Sequence, residues 1–191
     1  MAFPNLVLLL KLFSFLLLFR STQSKLSADY YNKTCPKFQN IMQTILAEKQ
    51  LSAPTTAAAT LRVFFHDCFV NGCDSSMLIA SNAFNKSERD ANVNLSVAGD
   101  AFDLITRVKT ALELGCPGVV SCSDILAVSA RDLIVMVGGP FYEVVLGRKD
   151  SRESNPSIVD KNLPKALTPM NELLSLFSSK GFSAEEMVAL V

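Results

Sequence analysis

Apolar residues recur at helical spacing through most of this chain. Between 36 and 51 they fall at Phe38, Ile41, Met42, Ile45 and Leu46, and after Pro54 a second run, 55–69, is rich in alanine and large apolar side chains. Both patterns predict helices. The stripe returns between 96 and 114, with Ala101, Phe102, Ile105, Val108 and Leu112 on one face, and Gly115-Cys116-Pro117-Gly118 ends it. A further helix is predicted over 121–137, where Ser121 and Asp124 have the spacing of a capping box and Gly138-Gly139-Pro140 is a stop. Only Glu143-Val144-Val145-Leu146 has the β-branched character of a strand; with no second strand of that strength to pair with, it reads as an isolated extended segment. The polar, turn-rich stretch 147–164 is expected to be a long surface connection, and helices return over 168–180 and 183–190, with Ser, Thr or Asn near their starts. The expected class is all-α with long loops, without internal repeats or a low-complexity linker.

The first residues break this pattern. An apolar run from Leu6 to Phe19, interrupted by Lys11 and Ser14, is followed by Arg20 and the small polar stretch Ser21-Thr22-Gln23-Ser24. That is the form of a secretory signal peptide over residues 1–24, cleaved near Ser24, and Lys11 leaves too short a clean run to span ~30 Å of hydrocarbon. Its removal leaves about 167 residues, 25–191, enough for one core-bearing domain or the larger part of two. Lys plus Arg (18) equals Asp plus Glu (18), so charge gives no hint of a nucleic-acid or anionic-membrane partner; work on a small molecule or a saccharide wall fits at least as well. The five cysteines of a secreted chain should mostly pair and leave one over. Asn32-Lys33-Thr34, Asn85-Lys86-Ser87 and Asn94-Leu95-Ser96 are glycosylation sequons, whereas Pro156 blocks the one at Asn155.

The candidate chemistry sits on the second helix. His66, the one histidine of the sequence, follows Arg62 by four positions, so both side chains share a helix face. A base beside a fixed cation can take a proton from a bound molecule and stabilise the negative charge that develops on it. Taken alone, His66 reads equally well as a histidine satisfied within a packed core, with Arg62 a snorkelling cation. The loop that follows offers Asp67, Asp74 and Ser76 with the carbonyls of Val70 and Gly72, an oxygen-only set suited to a hard cation, or else a polar turn about Asn71-Gly72. By count, Cys68, Cys73, Cys116 and Cys122 also allow a zinc site, against their spacing and an oxidising compartment. A hydrolase using His66 as its base lacks an activated-nucleophile motif.

Seven motifs in order resemble those of the secreted class III plant haem peroxidases. They are Tyr30-Tyr31 with Cys35-Pro36, the run from Leu61 to Asp74, Glu88-Arg89-Asp90-Ala91, Val120-Ser121-Cys122-Ser123-Asp124-Ile125-Leu126-Ala127, Gly138-Gly139-Pro140, Leu146-Gly147-Arg148-Lys149-Asp150 and Asn162-Leu163-Pro164. The resemblance implies the all-α haem-peroxidase fold, with the distal domain and the start of the proximal one. It implies His66 as the distal acid/base, Arg62 as stabiliser of the departing oxygen, and Asn94 as acceptor from the other ring nitrogen, which would leave the Asn94 sequon unused. Calcium would be bound by Asp67, Val70, Gly72, Asp74 and Ser76, with Glu88 supporting the site from behind. Cys68 would pair with Cys73 and Cys35 with Cys116, Asp124 would meet Arg148 as a buried ion pair, and Pro164 would line the mouth through which donors approach.

The function this implies is a secreted peroxidase of the extracellular space or cell wall, with the vacuole as alternative destination. With heme b and calcium as cofactors it would reduce hydrogen peroxide while oxidising small phenolic donors, and so serve peroxide removal and the response to oxidative stress, as a monomer without nucleic-acid or membrane partners. The family pattern after Met187-Val188-Ala189-Leu190 continues to a proximal histidine that ligates iron, but this sequence ends at Val191 and holds no second histidine. The resemblance therefore spans a little over half of a full member. It predicts an unpaired Cys122, exposed apolar helix faces, and loss of stable haem binding and most turnover by this chain on its own. A second reading follows: a secreted, calcium-binding, disulfide-linked helical fragment without catalysis.

Overall fold

The computed structural model describes residues 25–190; the expected signal peptide, 1–24, lies outside them. Seven α-helices are found among the described residues: α1 (Phe38–Ser52), α2 (Thr56–Asn71), α3 (Gly99–Gly115), α4 (Cys122–Met136), α5 (Pro156–Asn162), α6 (Met170–Ser179) and α7 (Ala184–Leu190). Three short 3-10 turns, Ser76–Leu78, Glu88–Asp90 and Asn92–Asn94, shape the connection between α2 and α3.

The main core forms where α1, α2, α3 and α4 pack on one another. Met42, Leu46, Val63, Leu104, Val108, Leu112, Ile125 and Leu133 are its fully enclosed side chains. Burying one such side chain contributes roughly 1.5–3 kcal/mol, so these interlocked stripes dominate the stability of the helical unit. A second, smaller core joins the end of α2 to α5, α6 and α7 through Phe69, Val70, Val159, Leu163, Phe177 and Met187. Phe69 is its centre, with ring centroids 4.7 Å from Phe65, 4.7 Å from Phe177 and 5.9 Å from Phe182. Disulfides Cys35–Cys116 and Cys68–Cys73 fasten the start of α1 to the end of α3 and close the loop after α2.

The all-α expectation holds: the one extended contact among the described residues is an isolated antiparallel bridge between Ser27 and Leu146. The polar stretch 147–164 is not wholly irregular, because α5 lies within it. The Asn155 side chain caps that helix by accepting from the Ser157 amide, Pro156 occupies its first turn, and Val159 is fully buried. These signals were present in the sequence but were masked by the polar residues around them. The capping box expected at α4 is half formed. Ser121 accepts from the Asp124 amide at 3.2 Å, but the Asp124 carboxylate turns inward to Tyr31, Gly147 and Arg148 instead of back to Ser121. At α7, Ser183 and Glu186 do make the reciprocal pair, at 3.2 and 2.8 Å.

One face stays uncovered. An apolar groove of about 800 Å³ runs along α2 past Leu61, Phe64, Phe65 and Phe69 to Ile134, Phe182 and Leu190. Leu61 is 44% exposed. Apolar helix faces left open in this way are what the sequence led us to expect.

Candidate functional site

Helix α2 carries Arg62 and His66 on one face, and both line an open pocket of about 550 Å³ with Asn92, Val93, Ser96, Asp160, Pro164, Lys165 and Ala166. His66 is almost buried, and its Nδ1 lies 2.5 Å from Asn94 Oδ1. The orientation of the Asn94 amide is settled by its other end: Nδ2 donates to the Glu88 carbonyl at 2.7 Å and approaches Met77 Sδ at 3.3 Å. Oδ1 must therefore accept, the His66 proton sits on Nδ1, and Nε2 keeps its lone pair. That lone pair accepts from Arg62 Nε–H at 3.4 Å, a long hydrogen bond at the edge of the pocket that both side chains line. Burial, and then the Arg62 charge, hold the imidazole below its ordinary pKa, against the Asn94 hydrogen bond, which raises it. The result is a neutral base at neutral pH.

Arg62 is itself clamped. Nη1 donates to the Ser96 carbonyl at 3.1 Å, and Nη2 donates to the Val93 carbonyl at 3.1 Å and to Ser96 Oγ at 2.9 Å. No local pattern on α2 announces these partners; they lie some thirty residues on, within and just after the 3-10 turn Asn92–Asn94, and only the fold brings them near. Asp160 and Lys165 also line the pocket; Asp160 belongs to the stretch 147–164 expected to be a plain connection, Lys165 follows it, and no spacing marks either as part of the site.

Below His66, Asp67 is fully buried and accepts from the Ser75 amide at 3.0 Å and the Met77 amide at 3.2 Å. Asp74 accepts from the Ser76 amide at 3.1 Å, and Ser76 Oγ donates to Glu88 at 3.1 Å. Burial pushes the Asp67 carboxyl up to about 7, and the nearby charges of Asp74 and Glu88 add to the rise. Burial likewise raises Glu88. Two buried carboxylates, Asp67 and Glu88, and the half-buried Asp74, near a loop rich in carbonyl and hydroxyl oxygens, fit a hard divalent cation. Side chains alone do not complete a cage: among the described residues no group of three or more His, Cys, Asp or Glu is arranged to hold a metal. The carbonyls of Val70 and Gly72 and the Ser76 hydroxyl would have to contribute. Gly72, at φ +104°, takes a backbone conformation that side-chain-bearing residues rarely adopt, which turns the chain sharply out of α2. The Val70 carbonyl already accepts from Lys180 Nζ at 2.9 Å.

Asp124 is fully buried, and its Oδ1 lies 3.0 Å from Arg148 Nη1, as the family pair is expected to lie. The structure adds Tyr31, whose hydroxyl donates to Asp124 Oδ2 at 2.7 Å, and the Gly147 amide at 2.6 Å. Cys122 is free, and burial followed by the Asp150 charge pushes its thiol up to about 11. Burial thus disfavours the thiolate, and Cys122 lines a different pocket from His66, which speaks against a hydrolase pairing the two. The zinc alternative falls too, because Cys68, Cys73 and Cys116 are all in disulfides.

Comparison with known proteins places this arrangement. The peroxidase family model matches residues 38–191. Peroxidase 63 of Arabidopsis thaliana is 56% identical over 186 residues, 97% of this chain and 57% of that protein. Peroxidase 31 and Peroxidase 41 of the same plant are 55% and 60% identical over 94% and 86% of this chain. The chain spans about half the length of the curated relatives it matches. With helices, disulfides and sequence in agreement, the chain belongs to the plant haem peroxidase family.

Proposed function

We propose that this chain forms the distal, peroxide-handling half of a secreted haem peroxidase that reduces hydrogen peroxide at the expense of small phenolic donors. One observation carries the reading. His66 and a clamped Arg62 line one open pocket, with Asn94 fixing the tautomer so that Nε2 is the acceptor, held in this state only by a long 3.4 Å bond from Arg62 Nε–H. Secretion is supported by the two disulfides, which persist in oxidising compartments. Among the described residues no helix is long and apolar enough to cross a membrane.

The chemistry of these residues follows from their protonation states. Nε2 of His66 takes the proton from the near oxygen of hydrogen peroxide and returns it to the far oxygen, which leaves as water. The Arg62 guanidinium stabilises the negative charge on that far oxygen as it departs. Asn94 keeps the ring from rotating and accepts from Nδ1–H throughout, so the proton is handled at one atom only. Haem, where bound, would supply the redox chemistry, two electrons for each peroxide reduced. The overall balance would be one peroxide and two phenols, each giving up one electron and one proton, to two waters and two phenoxyl radicals. Arg62, His66 and Asn94 fit the peroxide-handling side of such a group, and His66, already engaged with Asn94 and Arg62, would not hold its iron. Pro164 lines the same pocket and is proposed to border the donor approach. Calcium would lie among Asp67, Val70, Gly72, Asp74 and Ser76, with Glu88 behind.

Haem and calcium added to the chain, followed by peroxide and a phenol, test this reading by absorption spectroscopy. A protein-bound Soret band that shifts with peroxide and recovers with phenol supports peroxidase chemistry by this chain. A spectrum of free haem alone supports the second reading, a calcium-binding helical fragment, which the absence of a second histidine favours for these residues in isolation.

A further inference from the structure

The structure assigns Lys180 a role at the cation loop: its ammonium shares the Val70 carbonyl oxygen with the bound calcium and thereby sets how tightly calcium is held. This rests on the calcium reading above and goes beyond it. Val70 lies in the last turn of α2, where helix carbonyls have no partner within the helix, so its oxygen is open to a cation from either source. Lys180, just past the end of α6, fills one of its lone pairs at 2.9 Å. The same Nζ donates to Asn162 Oδ1 at 2.7 Å and stands 5.8 Å from the Phe69 ring. Among the described residues it meets no carboxylate at ion-pair distance, so its positive charge is offset only by dipoles.

A calcium ion on the second lone pair would lie about 2.3–2.6 Å from the oxygen, which puts the two cations no more than about 5.5 Å apart. At that distance a doubly charged ion and an ammonium repel even under nearly aqueous screening, enough to weaken calcium binding by roughly tenfold. The effect is reciprocal: bound calcium weakens the hold of Lys180 on Val70. Lys180 also grips Asn162, two residues before Pro164 at the pocket mouth. It is thus a physical tie between the cation loop and the donor side of the pocket, and a residue that positions rather than reacts.

Calorimetric titration with calcium chloride, on the chain and on Lys180→Met and Lys180→Gln, tests the assignment. Lys180→Met removes charge and donor together. Lys180→Gln removes the charge while keeping an amide that can donate to Val70 or Asn162, and it stands in should the first variant fail to fold. The expected result is a calcium dissociation constant lower by roughly tenfold in both variants. Unchanged or weaker binding in variants whose circular dichroism matches the parent overturns the assignment while leaving the calcium reading intact. No calcium binding by parent and variants alike overturns both.

Discussion

His66 sits where burial and a neighbouring guanidinium both oppose its charged form, and as the one histidine of the chain its titration can be followed without ambiguity. Its ring should titrate below the ordinary histidine range in a nuclear magnetic resonance pH series. Arg62→Leu, which removes a lowering charge, should move the midpoint up, and Asn94→Leu, which removes a raising hydrogen bond, should move it down. The reverse order would contradict the tautomer assigned here. The sign carries over to stability. A folded-state pKa below the unfolded one contributes stability that is present above the unfolded pKa and lost as pH falls through the folded one. Peroxide reactivity in the haem-loaded protein should fade over the same acidic range, as Nε2 becomes protonated. The Arg62–His66 pair was legible because helical periodicity alone places residues four apart on one face. Asn94 was legible only through family resemblance, and the Val93 and Ser96 clamp on Arg62 was not legible at all, since no local spacing links α2 to a turn thirty residues away.

At the scale of elements, Asp124 does more than begin α4. Its buried carboxylate gathers the Tyr31 hydroxyl, the Gly147 amide and the Arg148 guanidinium, and so joins the segment before α1, the start of α4 and the Leu146–Arg148 strip. Burial, with the Asp124 hydrogen bond, pushes the Tyr31 hydroxyl up to about 12, so it stays a donor across the physiological range. Asp124→Ala should lower unfolding free energy by about 3–5 kcal/mol in urea denaturation, because it removes the charge partner of Arg148 and the acceptor of the Tyr31 hydroxyl and of the Gly147 and Arg148 amides. Tyr31→Phe removes a single bond to a charged acceptor and should cost about 1.5–3 kcal/mol. Equal losses in the two variants would mean that the network is not centred on the carboxylate. Helix α5 offers an independent case. Asn155→Ala should cost about 1 kcal/mol, with Asn155→Asp close to neutral, if the cap is what starts the helix. The four long amphipathic helices could be read directly from the apolar stripe. This short one could not, because one buried residue, Val159, is too little periodicity to stand out from a polar stretch.

For the whole molecule, the connection between the cation loop and the base is the consequential feature. Ser76 donates to the Glu88 carboxylate, the Glu88 carbonyl receives the Asn94 amide, and Asn94 holds His66, so three hydrogen bonds lead from the loop to the imidazole. Asp67 follows His66 in the chain and is anchored on the same loop by the Ser75 and Met77 amides. The Cys68–Cys73 disulfide closes the loop, which limits how far either end can move. Whatever orders the loop should therefore order the base. A ligand that binds only the folded state, present at a hundredfold excess over its dissociation constant, stabilises by about 2.7 kcal/mol. Removing calcium with a chelator should accordingly lower the thermal midpoint and also shift the His66 ring resonances, although none of the residues proposed to hold calcium is hydrogen-bonded to the ring. Asp67→Ala should abolish both responses together. The uncovered groove along α2 makes the same experiment informative about packing, because a loosened loop should also increase the binding of an apolar dye there. A thermal midpoint that follows calcium while the His66 resonances stay fixed would cut the chain between Ser76 and Asn94, and would leave the loop as a stabilising staple with no hand in setting the base.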